Sequence, residues 1–120
     1  MTSFSFAKGI PRDADLVFDV RFLRNPHYEE DLRPFTGRDK AVQEYIAEDA
    51  SFDDFMSKFK NLLEPLLPRY ADEGKSYLTI AIGCTGGKHR SVCVAEHLHH
   101  WLESLGRSSL IRHRDAPPVA

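Results

Sequence analysis

The feature that most constrains the fold is an apolar run that leads through a glycine-rich turn into a helical pattern. Residues 77–82 are apolar and rich in β-branched and aromatic side chains, which predicts a buried strand. The sequence GCTGG follows at residues 83–87 and predicts a tight turn. From Lys88 onward the apolar residues recur at helical spacing, and Gly106 stands where a helix C-cap belongs. The predicted inward face of this helix consists of Val94, Leu98, Trp101, Leu102 and Leu105.

A strand, a glycine-rich turn and a helix N-terminus in this order predict an anion-binding site. The free N–H groups of the turn and the positive end of the helix dipole point at the same place. Lys88, His89 and Arg90 lie in the predicted first turn of the helix, where cations are unfavourable unless an anion offsets them. We therefore predict a phosphate site at this turn.

Composition limits the remaining classes of function. A chain of 120 residues with 42% apolar and 28% charged residues is typical of one soluble globular domain. The net charge of −2 gives no overall attraction to nucleic acid or to a membrane, and no apolar run approaches 18 residues. Both cysteines, Cys84 and Cys93, belong to one strand-turn-helix unit, which favours free thiols and a cytoplasmic location.

The rest of the chain predicts an α/β fold, namely a single small domain with a mostly parallel sheet flanked by helices. Strands are expected at residues 3–7 and 15–23, and a short edge strand at residues 108–113. Residues 24–38 form an ordered loop, which leads to a helix over residues 40–49 capped by Asp39. A second helix begins near Ser51, and Pro65 and Pro68 are expected to kink or end it. We predict a domain over residues 1–115 and a flexible tail over residues 116–120. Burial is expected for Leu16, Val17, Phe18, Val20, Phe55, Phe59, Leu62, Leu63 and Leu66.

The turn also carries the residues of a cysteine-dependent phosphatase loop. Cys84 and Arg90 are separated by five residues and Ser91 follows, as in the cysteine-x5-arginine-serine/threonine signature. A thiolate beside a helix N-terminus and a bidentate arginine would suit phosphoryl transfer. Such an enzyme also needs a general acid, and no aspartate is singled out by its context. An inert, buried Cys84 and a catalytic Cys84 paired with Arg90 therefore both stay open. The aspartates considered for the acid are Asp19, Asp31 and Asp39.

Three longer strings point to a particular family. GCTGGKHRSV, DLVFDVRFLRNPHY and LRPFTGRD together resemble the carboxy-terminal domain of the RapZ family of RNase adapter proteins, which are YvcJ-like nucleotide-binding proteins. The resemblance extends over residues 4–114. It implies a regulatory domain that binds glucosamine-6-phosphate and is not an enzyme. It also implies binding of small RNA and an endoribonuclease, and homo-oligomers of a longer protein. No cofactor is implied.

The resemblance also assigns residues. The family's ligand residues correspond to His27, Thr85, Gly86 and Arg90, although a histidine in a loop is ordinarily only solvated. The predicted sugar-phosphate site as a whole comprises His27, Cys84, Thr85, Gly86, Gly87, Lys88, His89, Arg90 and Ser91.

Two further interpretations concern RNA and metals. Lys8, Arg112 and Arg114 are the RNA-binding candidates, but the basic tail of enterobacterial members is replaced here by Asp115 and two prolines. An RNA-binding module without a metabolite role is therefore a second alternative to the sugar-phosphate sensor. Cys93, His97 and His100 share one flank of the predicted helix but provide too few ligands for zinc, so we predict no metal site.

Overall fold

Four short strands form one parallel sheet in the computed structural model, which describes residues 1–75 and 77–118. They are β1 (Thr2–Ser5), β2 (Leu16–Asp19), β3 (Ile80–Cys84) and β4 (Arg112–His113), in the order β2-β3-β1-β4. Each neighbouring pair is parallel. The central strand β3 is buried along its whole length, as the apolar sequence predicted. The α/β class and the parallel sheet are confirmed.

Three α-helices pack on one face of this sheet: α1 (Lys40–Ala47), α2 (Phe52–Asp72) and α3 (Arg90–Ser104). The connections from β2 to β3 and from β3 to β4 cross the sheet in the same direction, so right-handed crossovers place their helices on the same side. The β1-to-β2 connection runs in the opposite direction, and Phe6 packs on Phe4 on the other face. The core between sheet and helices consists of Val20, Leu23, Val42, Ile46, Phe52, Met56, Phe59, Leu63, Ile80, Ile82, Cys84, Cys93, Val94, Ala95 and Leu98.

The strand register aligns the carboxyl ends of three strands. Ser5 pairs with Cys84, and Asp19 pairs with Gly83, so β1, β2 and β3 end at the same level. Ligands of open α/β sheets bind at this edge, in the crevice beyond the strands. The loops after β2 and β3 therefore meet where a site was predicted.

Several local predictions were wrong in their details. The strand β3 begins at Ile80, and Tyr77 is 84% exposed. Val17 and Leu62 are also exposed, because Val17 faces away from the helices on an edge strand and Leu62 lies on the outer side of α2. The helix α2 continues through Pro65 and Pro68 to Asp72. Both prolines are exposed, and on this side of the helix water can hydrogen-bond the carbonyl groups that lose their N–H partners.

The structure tests the two helix caps that the sequence predicted, at Asp39 and Gly106. Asp39 precedes α1 as predicted, but its carboxylate accepts the Thr36 N–H at 2.7 Å and caps no helical N–H. At the end of α3, Gly106 has a φ of 74° and donates to the Glu103 carbonyl, while Arg107 donates to that of Leu102. This pattern is a Schellman motif and confirms the predicted glycine C-cap.

The end of the chain was predicted as a domain boundary at residue 115 and a flexible tail beyond it. Asp115 accepts the Ser5 N–H at 2.7 Å, and the Pro117 carbonyl accepts a hydrogen bond from Arg38 at 2.8 Å. Residues 119 and 120 lie outside the described residues. The division of the chain at residue 115 stays a prediction.

Candidate functional site

The predicted loop connects the end of β3 at Cys84 to the start of α3 at Arg90. Gly87 has a φ of 67°, a backbone conformation that other residues rarely adopt. A Cβ atom at Gly87 would lie 2.8 Å from the Ser5 nitrogen and 3.0 Å from the Asp115 Cβ. The loop is therefore packed tightly against the end of β1 and against Asp115. This close approach explains the glycine in the predicted turn.

The backbone N–H groups of this loop are the second feature of the site. Among the described residues, no backbone hydrogen bond uses an N–H of residues 85–92 as its donor. The first N–H groups of α3 lack intrahelical acceptors by geometry, and they carry the positive end of its dipole. An anion placed at the loop would meet several N–H donors at once.

Arg90 adds a buried positive charge to this site. Arg90 is only 5% exposed, and its Nη1 atom donates to the backbone carbonyls of Arg21 and Leu23. Its Nη2 atom donates to Thr85 Oγ1 at 3.3 Å. These bonds fix the guanidinium in place but provide only neutral acceptors. Over residues 1–75 and 77–118, no carboxylate oxygen forms an ion pair with Arg90.

Lys88 is the second cation at the site. Its Nζ atom donates to the Arg33 carbonyl, so the ammonium group is also held by a neutral acceptor. His89 is different, because burial and the neighbouring Lys88 lower its pKa despite the opposing influence of nearby carbonyls. We expected three cationic or potentially cationic side chains, but His89 is neutral at physiological pH. The site therefore carries two positive charges.

The loop after β2 forms the opposite wall. Residues Pro26–Tyr28 form one turn of 3-10 helix, which Asn25 starts by accepting the His27 N–H at 3.0 Å. Arg33 donates from Nε to the His27 carbonyl, which fixes the turn from the other side. The two walls enclose a cavity of about 260 Å³. Its lining residues are Asn25, His27, Cys84, Thr85, Gly86, Lys88, His89 and Arg90.

Most residues predicted for the sugar-phosphate site therefore lie together, although their separation in sequence reaches 63 positions between His27 and Arg90. Gly87 and Ser91 were also predicted but do not line the cavity, since Gly87 packs on β1 and Ser91 faces Cys84. Sequence reasoning missed Asn25. The signal was its position before a proline at the start of a turn, where asparagine side chains commonly bond the following backbone.

Cys84 has one defined partner. Cys84 is buried, and its Sγ atom donates to Ser91 Oγ at 3.1 Å. Asp19, the candidate acid at the end of β2, forms an ion pair with Arg21 at 2.7 Å. Hydrogen bonds from Arg21 lower the pKa of Asp19, partly opposed by burial, and the charge of Arg90 lowers it further. Asp19 is therefore ionised at neutral pH and is a poor proton donor.

The remaining candidates lie outside the cavity. Lys8 and Arg112 are exposed, whereas Arg114 is engaged by the Asp115 carboxylate at 2.8 Å and by the Gly9 carbonyl at 2.6 Å. None of the three RNA-binding candidates lines the cavity.

The side chains considered for zinc do not share a surface. Cys93 is fully buried in the core, the His97 ring packs on Phe52, and His100 is exposed. Within the described part of the chain, no cluster of three or more histidine, cysteine or acidic side chains is arranged to hold a metal ion.

A larger groove of about 740 Å³ lies at the opposite end of the sheet and contains none of the predicted site residues. It is lined mainly by apolar side chains, including Leu67, Leu78 and Leu110, near the amino ends of the strands. Because ligands of parallel sheets bind beyond the carboxyl ends, we assign the candidate site to the smaller cavity.

Separately, none of the α-helices in the described residues is sufficiently long and apolar to traverse a lipid bilayer.

Fold and site together define a parallel α/β domain with a cationic, glycine-rich pocket at the carboxyl edge of its sheet. The family described as the RapZ C-terminal domain matches residues 1–117, and the chain belongs to this family. Relatives named nucleotide-binding protein occur in Paramagnetospirillum magneticum (59% identity) and Rhodospirillum rubrum (60%), each matching 96% of this chain. Another, from Symbiobacterium thermophilum, is 56% identical over the full chain. The chain spans 38%, 36% and 40% of these three relatives, respectively.

Proposed function

We propose that this domain is a regulatory module that binds the phosphate group of an amino-sugar phosphate, glucosamine-6-phosphate, in the cavity between His27 and the loop at residues 84–91. The observation that carries the proposal is the pair of cations, Lys88 and Arg90, held by neutral carbonyls with no carboxylate partner among the described residues. Arg90 is buried, and a buried charge is costly unless an anion offsets it, whereas Lys88 is only half-buried. A phosphate would do so with charge-assisted hydrogen bonds.

The second wall supports a small polar ligand. His27 and Asn25 supply hydrogen-bonding groups opposite the cations, as a sugar hydroxyl or amine requires. The cavity of about 260 Å³ is slightly smaller than ordinary ligand pockets, which measure about 300–1,000 Å³. This size favours a hexose phosphate over a dinucleotide.

The test is isothermal calorimetry with glucosamine-6-phosphate, glucose-6-phosphate, inorganic phosphate, unphosphorylated glucosamine and a nucleoside monophosphate. The nucleotide is included because the relatives are named nucleotide-binding proteins. We expect every sugar phosphate to bind and glucosamine not to bind. If none of the phosphates binds at millimolar concentration, the proposal is wrong. Tightest binding of the nucleotide would move the assignment from sugar phosphates to nucleotides.

Two variants separate the roles of the walls. Arg90→Lys keeps the charge but loses the two parallel N–H donors of the guanidinium. Because one hydrogen bond to a charged group contributes about 1.5–3 kcal/mol, we expect all phosphates to bind about 10- to 100-fold more weakly. His27→Ala should weaken sugar phosphates more than inorganic phosphate. Lys58→Gln is the control, because Lys58 forms an exposed ion pair with Asp54 on α2.

We propose that the domain acts without catalysis. Asp19 is held ionised by Arg21, so it is unsuited to protonate a leaving oxygen near Cys84. Phosphate should therefore be released from an aryl phosphate no faster than in buffer alone. Hydrolysis of the aryl phosphate by the wild type that is lost in Cys84→Ser would instead identify a phosphatase. In that case Ser91, whose Oγ atom contacts Cys84 Sγ, would lie beside the nucleophile.

We further propose that the longer protein acts as an RNase adapter, binding small RNA and an endoribonuclease as a homo-oligomer. Family membership supports this proposal, and Lys8 and Arg112 are exposed for phosphodiester contacts. A gel shift should weaken as salt rises and in the Lys8→Ala and Arg112→Ala variants. RNA binding unaffected by either substitution would exclude these residues as the contact surface.

A further inference from the structure

An anion-binding loop works only if its peptide groups are oriented with the N–H toward the ligand. In a trans peptide the carbonyl points the opposite way from the N–H of the following residue, and every peptide described here is trans. Each inward N–H therefore requires an outward carbonyl, which itself needs a donor when it is buried. Donors that hold these carbonyls decide the shape of the loop.

Two loop carbonyls meet donors from distant parts of the chain. Ser5 Oγ donates to the Thr85 carbonyl at 2.6 Å, which orients the peptide that carries the Gly86 N–H. The Gly37 N–H donates to the Lys88 carbonyl at 2.9 Å, which orients the peptide that carries the His89 N–H. Gly86 and His89 both line the cavity.

Ser5 is itself held firmly. It is the last residue of β1, its residue is 2% exposed, and its register partner is Cys84 at the end of β3. Its backbone N–H donates to the Asp115 carboxylate at 2.7 Å, and Asp115 is paired with Arg114. The hydroxyl therefore reaches the loop from a fixed position.

We propose that Ser5 is a positioning residue of the phosphate site: its hydroxyl turns the Thr85 carbonyl away from the cavity so that the Gly86 N–H faces the ligand. This inference rests on the phosphate-binding function proposed above. It predicts that loss of the hydroxyl weakens binding of the phosphate group itself, with or without a sugar.

Ser3 provides a matched control. It lies on the same strand, is fully buried, and its hydroxyl bonds to His113 Nδ1 at 2.7 Å instead of to the loop. Removing either hydroxyl leaves a buried group without its partner, so Ser5→Ala and Ser3→Ala should both lower the melting temperature. Only Ser5→Ala should change phosphate affinity.

The experiment measures Kd for inorganic phosphate and glucosamine-6-phosphate by calorimetry, with melting temperature recorded for each variant. For Ser5→Ala we expect Kd to rise about 5- to 10-fold for both ligands, the factor that corresponds to one hydrogen bond. For Ser3→Ala we expect a change of less than about twofold. Ser5→Cys, with a weak donor of similar size, should lie between wild type and Ser5→Ala, and it carries the test if Ser5→Ala does not fold.

The outcomes separate the two proposals. If the wild type binds phosphate and the Ser5 variants bind it equally well, Ser5 has no positioning role and the phosphate site stands. An equal loss of affinity in Ser3→Ala would also overturn the inference, because the effect would follow stability and not loop geometry. If the wild type binds no phosphate, the proposed function fails and this inference fails with it.

Discussion

Substitution of Gly37 by alanine tests how closely the loop before α1 is packed against the candidate site. A Cβ atom at Gly37 would lie 2.2 Å from the His89 carbonyl oxygen and 2.4 Å from the Cys93 nitrogen. Both obstacles are backbone atoms of the α3 N-terminus and cannot rotate away. Because ordinary contact begins at 3.4 Å, the two segments would have to separate by roughly 1 Å.

This separation has a cost that follows from the structure. The Gly37 N–H to Lys88 carbonyl bond, now 2.9 Å, would lengthen beyond hydrogen-bonding distance. Overpacking costs about 1–3 kcal/mol and the lost bond about 0.5–1.5 kcal/mol, so we expect a total loss of about 2–4 kcal/mol. For a domain of this size the melting temperature should fall by about 8–16 °C. Phosphate affinity should also fall, because the peptide bearing the His89 N–H loses its outer bond.

Urea unfolding followed by the fluorescence of Trp101 measures the effect, since this single tryptophan packs against the core. Gly86→Ala is the control for stability, because a Cβ atom at Gly86 meets nothing within 4 Å and the residue has no positive φ. We expect its free energy of unfolding to change by less than about 1 kcal/mol. If Gly37→Ala is no less stable than Gly86→Ala, the reasoning about this contact is refuted.

Three other predictions follow from individual groups. Hydrogen bonds from Arg21 lower the pKa of Asp19, so the stabilising contribution of this ion pair is complete at neutral pH and is lost as pH falls below about 4 through the folded-state value. Urea unfolding of Asp19→Asn and wild type should differ at pH 7 and differ less at lower pH, and a difference that stays constant with pH would contradict this. Burial, and to a smaller extent the charge of Glu96, raises the pKa of Cys93 to about 12. Iodoacetamide at pH 8 should therefore leave Cys93 unmodified in the folded protein, as measured by mass spectrometry, and rapid labelling would argue against this burial. Pro68→Ala should raise the free energy of unfolding by about 1–2 kcal/mol, because it restores a helical N–H at an exposed position of a continuous helix; a lower urea midpoint would contradict this.

The candidate site was partly predictable because its loop is local in sequence. A buried strand, the turn GCTGG and a helical repeat specify the order of elements without reference to the rest of the chain. They gave the strand β3, the helix α3 with its cap at Gly106, and the position of the loop. His27 entered through a family resemblance, because nothing in its local sequence distinguishes it from a solvated histidine.

Other features depend on contacts between distant segments, which periodicity does not encode. The charge state of His89 follows from its burial, which lowers its pKa. Within residues 1–75 and 77–118 Arg90 forms no ion pair, and its guanidinium bonds instead to the carbonyls of residues 21 and 23, which the strand order brings to it. The continuation of α2 through two prolines likewise depends on which side of the helix faces water. Local sequence thus determined a glycine-rich loop at a helix N-terminus, since hydrophobic period and glycine act over a few residues. Only the tertiary structure decided which groups orient its peptides, since the hydroxyl of Ser5 lies 80 positions away from Thr85 and is brought there by the parallel pairing of β1 with β3.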